Sequence, residues 1–139
     1  MSGSPNRLVA AVFGGVYLLV GLLGFAVTGF SNFAGTNTGD NLIVFEVNPL
    51  HNVVHLAIGA LLLVSSKNVA AAKGSNTAVG AVYLLVGILG LFLIGTDANI
   101  LSLNGADNVL HFASAILLLG VGLAADKDPL RAATGSRTV

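Results

Sequence analysis

The chain has 139 residues, 55% of them apolar and only 9% charged, with six basic and six acidic residues balancing to zero. A soluble domain of this length leaves much of its surface in water and cannot hide so much apolar side chain, so lipid is the expected solvent. The balanced charge excludes a nucleic-acid partner, and the absence of cysteine excludes disulfides, thiolate metal sites and covalent c-type haem attachment.

Four apolar runs follow one another along the chain. The first covers residues 8–30, the second 49–66, the third 77–96 and the fourth 106–125. Each is about 20 residues long, enough at 1.5 Å per residue to cross the hydrocarbon core as a helix. None alternates as a barrel strand would. The first run is longer than the apolar part of a signal peptide, and its twin lies inside the chain, so it reads as a span rather than a cleaved leader.

The twinning is explicit. Val16-Tyr17-Leu18-Leu19-Val20-Gly21 in the first run returns as Val82-Tyr83-Leu84-Leu85-Val86-Gly87 in the third. His51-Asn52-Val53-Val54-His55-Leu56 in the second returns as Asp107-Asn108-Val109-Leu110-His111-Phe112 in the fourth. The expected fold is all-α: an integral membrane four-helix bundle made of two tandem parallel transmembrane hairpin repeats, residues 8–66 and 77–125. Residues 1–139 form a single transmembrane domain with a short charged tail, 126–139, expected to be loose.

Charge sets the orientation. Arg7, Lys67, Lys73, Lys127, Arg131 and Arg137 all fall on one side of the spans, whereas the opposite loops hold only Asp40, Glu46 and Asp97. The positive-inside rule puts both termini in the cytoplasm. Phe30, Phe33 and Phe45, in or near the long outer loop of the first hairpin, suit the membrane interface.

The helix starts and seams are also marked. Asn48 is placed to cap the second span, with Pro49 at its first position, and Asn104 to cap the fourth, with Asp107 three residues on. Gly14, Gly21 and Gly24 in the first span, and Gly80, Gly87 and Gly90 in the third, line one face of each helix. Small residues let backbones approach in lipid. These faces are expected to pack inside the bundle; a homo-oligomer or a membrane-protein partner is the other occupant they suit.

No Asp, Glu, Lys or Arg lies at mid-membrane, which argues against ion-coupled transport. The polar residues at depth are few. His51 and His55 are four apart and share a helix face, and Asp107 and His111 occupy the matching positions. If the second and fourth spans face each other, His51, His55, Asp107 and His111 form a candidate set of ligands for zinc, copper or non-haem iron. His55 and His111 alone could be axial ligands of a haem, with Gly59 and Ala115 one turn below leaving room for its ring. The simpler reading is a structural polar cluster of Asn48, Asn52, Asn104 and Asn108, with His55 and His111 bonded to Asn108 and Asn52 and no cofactor. Both histidines are expected to face the interior, nearer to each other than to Tyr17 or Tyr83. Helical side chains lean toward the helix N-terminus, so the tyrosines are expected to point away from the imidazoles into the inner half of the bilayer.

The segment Val47-Asn48-Pro49-Leu50-His51-Asn52-Val53-Val54-His55-Leu56-Ala57-Ile58-Gly59 resembles the signature of the domain-of-unknown-function 4383 family, small actinobacterial membrane proteins. The resemblance extends over residues 8–123, with Asp107 replacing the first histidine in the second copy. It implies a plasma-membrane location and no established activity. The leading functional reading is a non-catalytic structural or accessory membrane component. The alternative is a haem- or metal-binding membrane redox protein using His55 and His111, with a passive pore third.

Overall fold

The structure is a computed structural model describing residues 3–127. The expected loose tail lies outside the described residues from position 128 onward. Four helices dominate: α1 (Pro5–Thr28), α2 (Pro49–Ser65), α3 (Val69–Leu93) and α4 (Gly105–Ala124). A two-stranded antiparallel ribbon, β1 (Asn41–Leu42) and β2 (Phe45–Glu46), lies in the loop between α1 and α2.

The helices begin where side chains satisfy the first orphan N–H groups. Ser4, Asn48, Asn68 and Asn104 each accept a bond from the backbone N–H three residues on. At α4 the pairing is reciprocal: Asp107 also accepts from the Asn104 N–H at 3.0 Å, completing a capping box. The helix α3 starts at Val69, eight residues before the apolar run. Asn68 caps it, and three alanines carry it through the polar stretch ahead of that run. The ribbon was not expected. Its strands are two residues long, too short for an alternating pattern, and the turn residue Ile43 has φ +65°, which β-branched residues rarely adopt. The Asn104 amide holds the turn by donating to the Val44 carbonyl at 2.9 Å.

The helices α1, α3 and α4 are long and apolar enough to cross a membrane. At 17 residues, α2 extends only about 25 Å, at the lower limit for a span. Large apolar side chains such as Leu19, Leu22, Phe92, Val109 and Ile116 face outward, whereas the interior collects small and polar ones.

Within each hairpin the helices pack closely, α1 on α2 and α3 on α4. The glycine faces lie in these seams. A Cβ on Gly14 would sit 2.7 Å from the Leu63 nitrogen, and one on Gly59 would sit 2.7 Å from the Leu18 nitrogen. Gly80 meets the Leu119 backbone in the same way, and Gly24 and Gly90 leave space filled by the Asn52 and Asn108 amides.

Between hairpins, α1 packs on α3 and, to a smaller extent, α4, and α2 packs on α3. The arrangement with α2 directly facing α4 is not the one found. Those helices are set apart, and only side chains bridge them. The core is Ala10, Tyr17, Leu62, Ala72, Val79, Tyr83, Ala115 and Leu118. At the end of the bundle that holds the start of α1, Asn76 reaches across to Asn6, and Asp126 accepts from Ser4 and Asn6. The first residue of the expected loose tail is therefore anchored.

Candidate functional site: a buried histidine cluster

Three buried imidazoles converge between the hairpins. His51 and His55 come from successive turns of α2, with ring centroids 4.6 Å apart and planes at 66°, and the His111 ring of α4 lies 6.3 Å from that of His51. One ring nitrogen from each of His51, His55 and His111 can be chosen so that all three lie within 4.8 Å of one another. All three rings are at most 5% exposed. The expectation that His55 and His111 face the interior holds.

Asp107 does not join them. Its carboxylate is turned back to the Asn104 N–H at the start of α4, and the converging group consists of the histidines alone. The first turn of a helix offers a carboxylate a nearby N–H, and here that local partner takes it.

No asparagine side chain bonds a histidine ring either. Asn48 accepts from the His51 backbone N–H at 2.8 Å and donates to the carbonyls of Gly35 and Ile100, tying the α1–α2 and α3–α4 loops together. Asn104 serves its own cap and Val44. Asn52 donates to the Thr28 hydroxyl at 3.0 Å, into its own hairpin. Asn108 turns toward Gly90 in the same sense. The glycines opposite open the space these amides occupy, which draws Asn52 and Asn108 away from the opposite hairpin. The Nδ1 atoms of His51, His55 and His111 are left with no hydrogen-bond partner in the interior.

The tyrosines, expected to point away, are part of the cluster. The Tyr17 ring stacks on His55 with centroids 5.5 Å apart, Tyr83 stacks on His111 at 5.1 Å, and the two tyrosine rings lie 5.4 Å from each other. Depth explains the miss. Tyr17 lies twelve residues, about 18 Å, from the N-terminal end of α1, and His55 lies ten residues, about 15 Å, from the C-terminal end of α2, which lies at the same end of the bundle. At one level, opposite lean along the axis is smaller than the width of the rings. Both tyrosine hydroxyls are buried without a partner. The repeated tyrosine is visible in the sequence; the packing of α1 on α3, which brings both tyrosine rings together beside the histidines, is not.

Space in the cluster is limited. A cavity of about 30 Å³ is bordered by the three histidines, Tyr83 and Leu101. That holds an ion or a water, not a macrocycle. Gly59, expected to leave room for a haem ring, packs against the backbone of α1 instead. The haem arrangement on His55 and His111 does not fit.

The α1–α2 and α3–α4 loops cover the cluster with polar bonds. The Ser102 hydroxyl donates to Glu46 Oε1 at 2.7 Å and accepts from the Thr38 backbone N–H at 3.3 Å, and the Thr38 hydroxyl donates to the Val47 carbonyl.

Fold and cluster together define a small helical membrane protein with a buried polar centre. The family model described as "Domain of unknown function (DUF4383)" matches residues 7–124, and the chain belongs to that family. No curated protein and no solved structure matches the chain.

Proposed function

We propose that this protein is a metal-binding membrane component whose site is His51, His55 and His111. The observation that carries the reading is the convergence of three buried ring nitrogens within 4.8 Å, in a cluster where every histidine Nδ1 lacks a partner. A buried polar atom without a partner costs about 1–3 kcal/mol, and three together would take much of a small bundle's stability. A metal ion answers that need. Tetrahedral coordination at 2.0–2.1 Å sets ligand nitrogens about 3.3 Å apart, so rotamer adjustments on the order of an ångström would close the three rings on an ion. Three neutral imidazoles suit zinc, copper or iron and leave a fourth position open. Asp107, one turn above His111, would supply a compensating negative charge without ligation.

The membrane setting belongs to the same proposal. All four helices span, α2 at minimal length, in a plasma membrane with both termini cytoplasmic and the histidines in the outer half. The two hairpins form a tandem repeat about an axis along the membrane normal. The chain is free of cysteine, so Ile43→Cys, at a site 85% exposed, should label with an impermeant maleimide in intact cells while Lys67→Cys stays unlabelled. The reverse pattern removes this topology.

The structural-accessory reading is second. It is favoured by Asn6–Asn76 and by Asn48, which bind the hairpins together without any ion. Elemental analysis of protein loaded separately with zinc(II) and copper(I) separates the two. One tightly held ion per chain, lost in His55→Ala and in His111→Ala, supports the metal site. Stoichiometry near zero for both ions, with unchanged thermal stability, leaves the structural reading.

A further inference from the structure

Matching positions of the two hairpins border two grooves of very different size. Between α1 and α4, Val16, Tyr17 and Val20 face Leu110 and Ser114, with His55 at the back, around a cavity of about 450 Å³. Between α3 and α2, the counterparts Val82, Tyr83 and Val86 face Val54 and Ile58, with His111 at the back, and the space is about 30 Å³. One substitution in the facing pair contributes to the contrast: Ser114 stands where the first hairpin has Ile58, and His51 and Leu101 also border the smaller space. The more extensive packing of α2 on α3 than of α1 on α4 accompanies it.

The larger groove is almost wholly apolar along its walls, with Val12, Phe13 and Leu117 extending it. Its polar groups are Tyr17, His55 and Ser114, each at most 5% exposed. Tyr17 Oη and His55 Nδ1 make no well-formed hydrogen bond, although the Ser114 and Tyr83 hydroxyls lie near Tyr17 Oη. A phenol without a partner in an apolar wall is a donor that calls for an acceptor. Its depth limits the choice. Ser114 lies ten residues, about 15 Å, above the inner end of α4, level with Tyr17 and His55. A charged phospholipid headgroup does not descend to the middle of the hydrocarbon. A molecule that brings its acceptor there is neutral, lipid-soluble and carries that acceptor as a carbonyl.

We infer that the α1–α4 groove is a binding site for a lipid-soluble quinone, reached sideways from the bilayer, with a ring carbonyl accepting from the Tyr17 hydroxyl beside Ser114 and the apolar tail running along Val12, Val16 and Leu117. The flat head lies among the aromatic rings of Phe13, Tyr17 and His55. The inference needs the membrane setting but not the metal: the groove is bordered by His55 whether or not an ion is held behind it.

The test uses the full chain reconstituted in lipid vesicles after treatment with a chelator, so that metal binding cannot influence the outcome. The protein has two tyrosines and no tryptophan, so its intrinsic emission comes from Tyr17 and Tyr83 beside the groove. Titration with 2-decyl-1,4-benzoquinone should quench that emission saturably. Decylbenzene, with the same tail and no carbonyl, should not compete. Ser114→Ile installs the residue of the matched position and should abolish the saturable phase while leaving the melting temperature and zinc stoichiometry of the wild type. Tyr17→Phe retains Tyr83 as the reporter and should weaken binding about tenfold, the loss of one hydrogen bond. Linear quenching of the wild type, as expected for simple partitioning, would overturn the inference. So would equal saturation by Ser114→Ile and Tyr17→Phe, or full competition by decylbenzene. None of these outcomes bears on whether zinc binds.

Discussion

Asn76 on α3 donates its side-chain amide to both the backbone carbonyl and the side-chain oxygen of Asn6 on α1, at 3.0 Å each, with both residues fully buried. These bonds join the two hairpins at the end of the bundle away from the histidines. Asn76→Ala removes the donor and leaves the buried Asn6 side-chain oxygen without its partner, while the Asn6 carbonyl keeps its helical bond. It should cost about 1–3 kcal/mol, read as a lower melting temperature in detergent, with ion stoichiometry unchanged. A variant as stable as wild type would show that these bonds contribute nothing net.

The glycine seams give a graded set of substitutions. Gly14→Ala and Gly59→Ala place a methyl group against backbone, and backbone cannot rotate away. Each should destabilise by about 1–3 kcal/mol. At Gly87 the nearest neighbour is the Phe112 ring at 3.1 Å, a side chain able to shift, so Gly87→Ala should cost less. Gly15, Gly74 and Gly120 have open space around their would-be Cβ atoms. Alanine at these three should be neutral or slightly stabilising, because it is the better helix former. Melting temperatures in one detergent rank the set, and equal effects at Gly14 and Gly15 would contradict the packing described.

Asp126 supplies a pH dependence. Desolvation alone would raise its pKa, but bonds from Asn6 and Ser4, with the Lys73 ammonium nearby, more than offset it and hold the carboxyl below its ordinary value. A carboxylate with a depressed folded pKa stabilises fully above its unfolded value, about 3.9, and loses that contribution as pH falls from there through the folded value. The melting temperature of wild type should therefore fall more steeply than that of Asp126→Asn between neutral pH and about pH 3. Parallel curves would mean that Asp126 is not held as described. Lys73 donates to the Ala125 carbonyl at 3.3 Å, so Lys73→Ala should reduce the difference between the two curves.

Much of this arrangement was legible in the sequence, for reasons particular residues make plain. The asparagine caps, the glycine faces and the inward histidines each announce themselves through spacing on one helix, where period and cap chemistry are local properties. The relation between helices was not local. Nothing in the repeat says that α3 meets both α1 and α2 while α2 and α4 stay apart, so the place of Tyr17 and Tyr83 in the cluster is not legible from it. Asp107 illustrates the opposite case. Two readings were available for it, ligand and cap, and the partner three residues away prevailed over partners on another helix. Asp126 was misplaced because a charged residue beside a tail resembles solvent-exposed chain until its bonds to Ser4 and Asn6 are seen.

Asn48 faces two ways: its oxygen begins α2 and its amide holds Ile100 of the second hairpin's loop. Ribosomal synthesis delivers the first hairpin before the second exists. Until α3 and α4 arrive, Asn6 lacks Asn76, Asn48 lacks Ile100, and the Tyr17 ring has no Tyr83 beside it. The first hairpin on its own thus lacks the partners of its Asn6 and Asn48 side chains, and only the second hairpin supplies them. The halves are built to be inherited together.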